Sequence, residues 1–355
     1  MKNPAKKILF LLLLSCSSCA SVYRFSVDIQ EPASITLPLS AQNVLILNNT
    51  VKQPGSYGID RTFDGQSIRT DYPLMLDSMV WSAANEIAVV LEESGFFRKI
   101  AIYRVPLRTD SEWLTKNVLS SDLQSDFYNI DDFDALLVID RLLFSVKENV
   151  KKIETGSFTS EPNAFIDLRV DGLLTCSMYT YEKEKPLTMF TIADSLFVKS
   201  TVPNDSIFLL KTYPEYLLNE LSFTLGNQTA KHFIPTWITS ERLLFTGNNP
   251  RMKEAAGYAA NHQWAHAESI WTIELAKKTK PIDQAKIAFN LAIANEMQDK
   301  FESALEWAKK ANEYLKTGNP ENYSEEIELT DQYILELERR IQNNRLLDLQ
   351  WGNNE

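Results

Sequence analysis

Between Ile166 and Met178 apolar and polar side chains alternate so regularly that the segment has one sensible form, a β-strand with one buried face. Ile166, Leu168, Val170, Leu174, Cys176 and Met178 fall on one side, broken only by Gly172, and Asp167, Arg169, Asp171, Thr175 and Ser177 fall on the other. A charged turn, Glu182-Lys-Glu-Lys-Pro186, follows, and Leu187 to Val198 returns as a partner strand. Such a hairpin has an apolar face that needs a cover. Two segments can supply it. Leu76, Met79, Val80, Ala83, Ile87, Val90 and Leu91 recur at spacings of three and four, which predicts a helix over 74–94 closed by Gly95. Pro214 opens a second helix with Leu217, Leu218, Leu221, Leu225 and Phe233 on its apolar side, ending near Pro235. Short apolar runs at Asn43–Asn48, Ile100–Tyr103 and Ala135–Ile139 read as further strands, joined by a polar loop from Asn49 to Pro73 and an acidic loop over 122–134. This order of elements predicts an α+β domain over 40–240, a mixed sheet with helices on one face.

From about residue 250 the chain becomes alanine-rich and helical. Ala288, Leu291, Ala292, Asn295, Ala304, Ala308 and Ala311, with Phe301 opening a second helix, keep the spacing of a tetratricopeptide repeat. Ala255, Tyr258, Trp264, Ala267 and Trp271 repeat part of the pattern, Trp264 standing 37 residues before Phe301. Small residues let paired helices approach closely, and two pairs need a cap to be stable. A last helix behind Ser324, striped by Ile327, Ile334, Leu337 and Ile341, can provide it. The expectation is an all-α, tetratricopeptide-like domain over 248–350. In such a repeat Lys286, Phe289, Ile293, Glu296 and Met297 would line a concave groove for a partner peptide.

The amino-terminal segment carries an address. Lys2, Lys6 and Lys7 precede an apolar run from Ile8 to Leu14, and Ser15-Cys16 follows. The run is too short to span a bilayer. It resembles the signal peptide and lipobox of bacterial lipoproteins, which implies cleavage after residue 15 and a lipid on Cys16. Cys19 is the alternative acceptor, although Cys16 then occupies the place of the usual aliphatic residue. Neither cysteine is followed by aspartate, which implies an outer-membrane anchor facing the periplasm. Residues 16–39, with Pro32 and Pro38, read as a tether.

The formal charge of −11 excludes nucleic acid as a partner, because phosphate neutralisation needs clustered Lys and Arg. It also leaves the lipid as the expected hold on the membrane. Three cysteines and three histidines give no disulfide framework and little material for a metal site. His262 and His266 are four apart, but Gln263 stands where a zincin helix needs glutamate. Asp60, Asp64 and Asp71, and likewise Asp122, Asp126, Asp131, Asp132 and Asp134, lack the spacing of a calcium loop. Gly55-Ser56-Tyr57-Gly58 is not a nucleophile elbow, and no phosphate or dinucleotide loop appears. No catalytic residue, metal or cofactor is expected. Three Asp-Ser-apolar triplets, at Asp77, Asp194 and Asp205, resemble the O-glycosylation acceptor of Bacteroidota.

Taken with the Phe233-Ile-Pro-Thr-Trp237 junction, the whole arrangement resembles a Bacteroidota lipoprotein family with an α/β domain and a tetratricopeptide-like tail. The resemblance implies no reaction. The expectation is a lipid-anchored envelope protein that binds a partner protein through its helical tail. The competing expectation is an enzyme or ligand-binding protein acting on cell-wall or glycan material through loops of the α/β domain.

Overall fold

The computed structural model describes residues 22–54, 57, 59–63, 65–70, 76–113, 118–152, 163–181, 183–203, 213–247, 249–318 and 320–352. They form two compact units. One holds residues 33–235 with 350–352, and the other holds residues 22–32 with 236–349. Cys16 and Cys19 lie outside the described residues.

The first unit is built on a mixed seven-stranded sheet. Strand β1 (Val22–Glu31) belongs to the second unit; the sheet begins with β2 (Asn43–Asn48), β3 (Ile59–Phe63) and β4 (Gln66–Thr70). Helix α1 (Leu76–Glu93), β5 (Lys99–Ile102) and helix α2 (Ser121–Tyr128) follow. Then come the long strands β6 (Ala135–Lys152), β7 (Asn163–Thr180) and β8 (Lys183–Pro203), and helix α3 (Tyr213–Lys231). β6 organises the sheet. On one edge it pairs antiparallel with β7, which pairs with β8. On the other edge its first part runs parallel to β2 and its later part parallel to β3.

The two long helices share one face, as the apolar periodicity requires. Val44, Ile46, Leu137, Ile139, Phe144, Val170, Leu174 and Cys176 meet Met79, Ala83, Ile87, Leu218, Leu221 and Leu225 in one buried cluster. Glycine sets how close the layers come. A Cβ on Gly172 would sit 2.7 Å from Leu221 Cδ2, and one on Gly226 would sit 2.5 Å from the Ala83 carbonyl oxygen. Only a residue without a side chain allows α1 and α3 to touch there.

Three segments differ from expectation. The polar loop 49–73 contains the β3–β4 hairpin. The acidic stretch holds α2, capped by Ser120, whose hydroxyl accepts from the Leu123 N–H, and this helix covers the opposite face of the sheet with Phe127 packed among Leu45, Leu47, Leu136, Val138 and Tyr179. Residues 22–31, read as tether, form β1.

The second unit joins β1 antiparallel to β9 (Thr236–Phe245), from Val22 opposite Phe245 to Glu31 opposite Thr236. Helices α4 (Pro250–Ala260), α5 (Trp264–Leu275), α6 (Pro281–Glu296), α7 (Phe301–Thr317) and α8 (Ser324–Trp351) complete it. Ala255, Ala259, Ala267, Ala288, Ala292, Ala304, Ala308 and Ala311 are buried between the helices, with Trp264 and Trp271 filling the wider gaps. The fold is therefore α+β, a mixed sheet followed by a helical tail.

Candidate functional site

The sheet unit has a polar break where β2 stops. Asn48 is the last residue of β2, and β6 carries a bulge at Asp140, the register shifting between Ile139 and Arg141. Before β3 takes over the pairing, the Gln53 side chain fills the gap. Its amide donates to the Phe144 carbonyl and accepts from the Phe144 N–H, both at 2.8 Å. Asp140 is held by Asn49 Nδ2 at 3.1 Å and by the Ser177 hydroxyl at 2.5 Å. Burial pushes its carboxyl above the usual range, opposed by these two donors. Arg141 stacks over Trp113 at 4.9 Å and donates to the Trp113 carbonyl.

Past the bulge no described element covers the sheet face opposite the long helices. Two rows of side chains cross β3, β6, β7 and β8 in register. One row is Asp60, Lys147, Arg169 and Phe197; the other is Thr62, Asn149, Asp167 and Lys199. They line a groove of about 400 Å³. Arg169 bonds Asp171 at 2.6 Å and lies 5.1 Å from the Phe197 ring, which is 66% exposed. Asp171 also accepts from the Ser195 hydroxyl; against its partial burial, these donors hold its carboxyl below the usual range. At the groove's edge Glu148, 6% exposed, takes both Arg61 bonds on one oxygen and leaves the other without a partner. The pattern of a strand with one apolar face was legible, but the rows needed the register. Two lysines, an arginine and an aromatic ring beside two aspartates suit a polar ligand laid along the sheet, not the abstraction of a proton.

Of the five residues expected to form a partner groove, Lys286, Phe289, Ile293 and Glu296 lie on α6 and Met297 caps it; Phe289 and Ile293 line, with Arg242, Tyr333 and Glu336, a pocket of about 210 Å³. Phe289 stacks against Phe245 of β9 and Tyr333 of α8, and Ile293 is fully buried. Glu296 accepts two bonds from Arg242 at 2.7 Å, one from the Tyr333 hydroxyl at 2.7 Å and one from Arg340. Burial works against its charge, but the Arg242 bonds and charge, with Arg340, hold its carboxyl below the usual range. Asn290 bonds both the N–H and the carbonyl of Phe245 at 2.8 Å. Met297 is half-buried, and Lys286 lies 5.4 Å from the Phe245 ring and 3.7 Å from Glu326. An apolar stripe on a helix marks a face to be covered, and β9 and α8 cover it.

The remaining sequence candidates separate. His262 sits in the turn after α4 at φ 58°, while His266 stacks on Tyr258. Asp60 lies on β3; Asp64 and Asp71 lie outside the described residues. Asp122 and Asp126 lie on α2, Asp131 pairs with Lys99, and Asp134 accepts from the Asn43 N–H. Among the described residues no three His, Cys, Asp or Glu side chains come together as a metal site. Cys176 is buried, which pushes its thiol up. One pair was not foreseen: the Ser34 hydroxyl lies 2.6 Å from His232 Nδ1. A nucleophile and base need an orienting acid as well, and no described carboxylate bonds His232.

A family model described as Domain of unknown function (DUF8603) matches residues 41–245, and a second, Domain of unknown function (DUF6340), matches residues 253–339. No curated protein matches the chain. Among solved structures it is similar to a neuraminyllactose-binding hemagglutinin homolog from Helicobacter pylori, at 11% identity and a TM-score of 0.26, over 54% of this chain and 84% of the other. It is also similar to a minor lipoprotein from Acinetobacter baumannii, at 10% identity and a TM-score of 0.20, over 54% of this chain and 94% of the other. At these scores the likeness is slight.

Proposed function

The chain belongs to the family described as Domain of unknown function (DUF8603), and on that premise we propose that it is a lipid-anchored protein of the bacterial envelope, held at the outer membrane, that acts by binding a partner protein. The observation that carries the reading is the open groove of the sheet, with its two cross-strand rows and the exposed Phe197. The helical tail, tetratricopeptide-like in its pairing, offers a smaller pocket of about 210 Å³ beside Phe289 and Ile293, against about 400 Å³ on the sheet. Lys147 and Lys199 make no ion pair among the described residues, so they are available to an acidic partner segment. Arginine within a patch is among the side chains that dominate binding energy, and Arg169 lies between Lys147 and Phe197.

The test is a photo-crosslinking residue in place of Phe197 in the full chain, expressed in cells. A discrete protein adduct that disappears with Lys147→Glu and Lys199→Glu is expected. No adduct, or one indifferent to both charges, would count against the groove. A second reading, glycan binding, is favoured by Asp167 and Asn149 side by side with Phe197 in the adjoining row, and would give a carbohydrate adduct instead. The anchor is tested separately: Cys16→Ala releases the protein from membranes, and retention with lipid still attached assigns Cys19.

A further inference from the structure

The anchor and the helical unit meet at one end of the β1–β9 ribbon. Val22, the first described residue, pairs with Phe245 at the end of β9. Cys16 and Cys19 lie six and three residues before it, so on the anchor reading no more than six residues of chain separate the lipid from that pair. Phe245 lines a pocket of about 170 Å³ together with Asn249, Met252, Lys278, Asp283 and Lys286. The loop between α5 and α6, Ala276-Lys-Lys-Thr-Lys280, brings Lys277 and Lys280 beside Lys278. Lys277 is bound to Glu274, and Glu274 in turn accepts from Asn249, which fixes the loop against the chain leaving β9. Lys278 and Lys280 pair with no carboxylate among the described residues. Ile273, one helical turn before Lys277, is 55% exposed. In a chain of net charge −11 this is a local concentration of cations beside an exposed apolar side chain.

Resting on the lipid-anchor reading, we propose that this pocket mouth faces the membrane and that Lys277, Lys278 and Lys280 take the phosphate of an anionic lipid headgroup. The acyl chains supply the hold, and the lysines set which end of the unit lies against the bilayer. Each lysine near an anionic surface adds a modest attraction that a zwitterionic surface does not provide.

The test uses the full lipidated protein in vesicles of phosphatidylcholine, with and without phosphatidylglycerol, and acylation of free amines read by mass spectrometry. Lys277, Lys278 and Lys280 should lose reactivity about fivefold when phosphatidylglycerol is present, while Lys300, at the far end of α6, keeps its own. Equal labelling of the three lysines in both vesicles overturns the headgroup contact and leaves the anchor standing. Protection by inorganic phosphate alone, without vesicles, also overturns it, since the site would then be one for soluble anions. Failure of the protein to float with either vesicle overturns the anchor on which the inference rests.

Discussion

Each unit buries a carboxylate beside a strand end, and the two are held in opposite ways. In the helical unit Glu296 is gripped by Arg242 and Arg340 and receives the Tyr333 hydroxyl, so it stays ionised in spite of burial. In the sheet unit Asp140 has two neutral donors, Asn49 and Ser177, and burial raises its carboxyl. Both units also use a buried amide to complete a strand edge, Asn290 for Phe245 and Gln53 for Phe144. The amides do the same task; the carboxylates do not. Glu296 is a cross-link between α6, α8 and β9. Asp140 marks the place where the sheet is interrupted and its polar face begins. The proposed binding groove lies on that face.

The contrast is sharpest when Glu296 is removed. Glu296→Ala leaves the Arg242 guanidinium buried without its main partner and should cost ~3–5 kcal/mol of stability, read by urea titration, with hydrogen-exchange protection lost over 236–349. Stability of similar size to the wild type would show that the cluster contributes little net. Next come the two amides. Asn290→Ala and Gln53→Ala each strand a backbone N–H and carbonyl, and each should cost ~2 kcal/mol. A large difference between them would mean that one strand edge is resolvated and the other is not. The smallest effect belongs to Asp140→Asn, which removes a charge that burial disfavours and should change stability by ~1 kcal/mol or less, in the stabilising direction at neutral pH.

Acidity separates the two carboxylates by sign. The Glu296 carboxyl is depressed, so its contribution is present above the ordinary glutamate value of 4.5 and is lost as pH falls through its lower folded value. The deficit of Glu296→Gln against wild type should therefore shrink in acid. The Asp140 carboxyl is raised, so its contribution is full below the ordinary value of 3.8 and is lost as pH rises through the folded one. The advantage of Asp140→Asn should then appear only as pH rises. Melting curves across that range check both, and parallel curves for the two variants would break the comparison.

Much of the fold was legible along the chain. The alternation of β7 and the three-and-four spacing of α1 placed a hairpin under helices without ambiguity. β1 carried a signal of its own, Phe25-Ser-Val-Asp-Ile29, but Pro32 and Pro38 argued for an extended tether. β9 was hidden because Arg242 points inward and Leu243-Leu-Phe245 breaks the alternation. α2 buries little more than Gln124 and Phe127, too few for a periodic stripe. Lys286, Phe289, Ile293 and Glu296 lie on α6, but periodicity is silent about what packs against them.

By itself, then, the sequence determined local form: strands from a period of two, helices from one near 3.6, and the acidic balance of the chain. Those properties depend on neighbours in the chain. Only the tertiary structure decided that β9 and α8 pack beside α6, that Gln53 and Asn290 complete strand edges, and that Lys147, Arg169, Asp167 and Lys199 share one face. Each of these joins residues distant in sequence, and register and packing, which set such contacts, are not written in any local pattern.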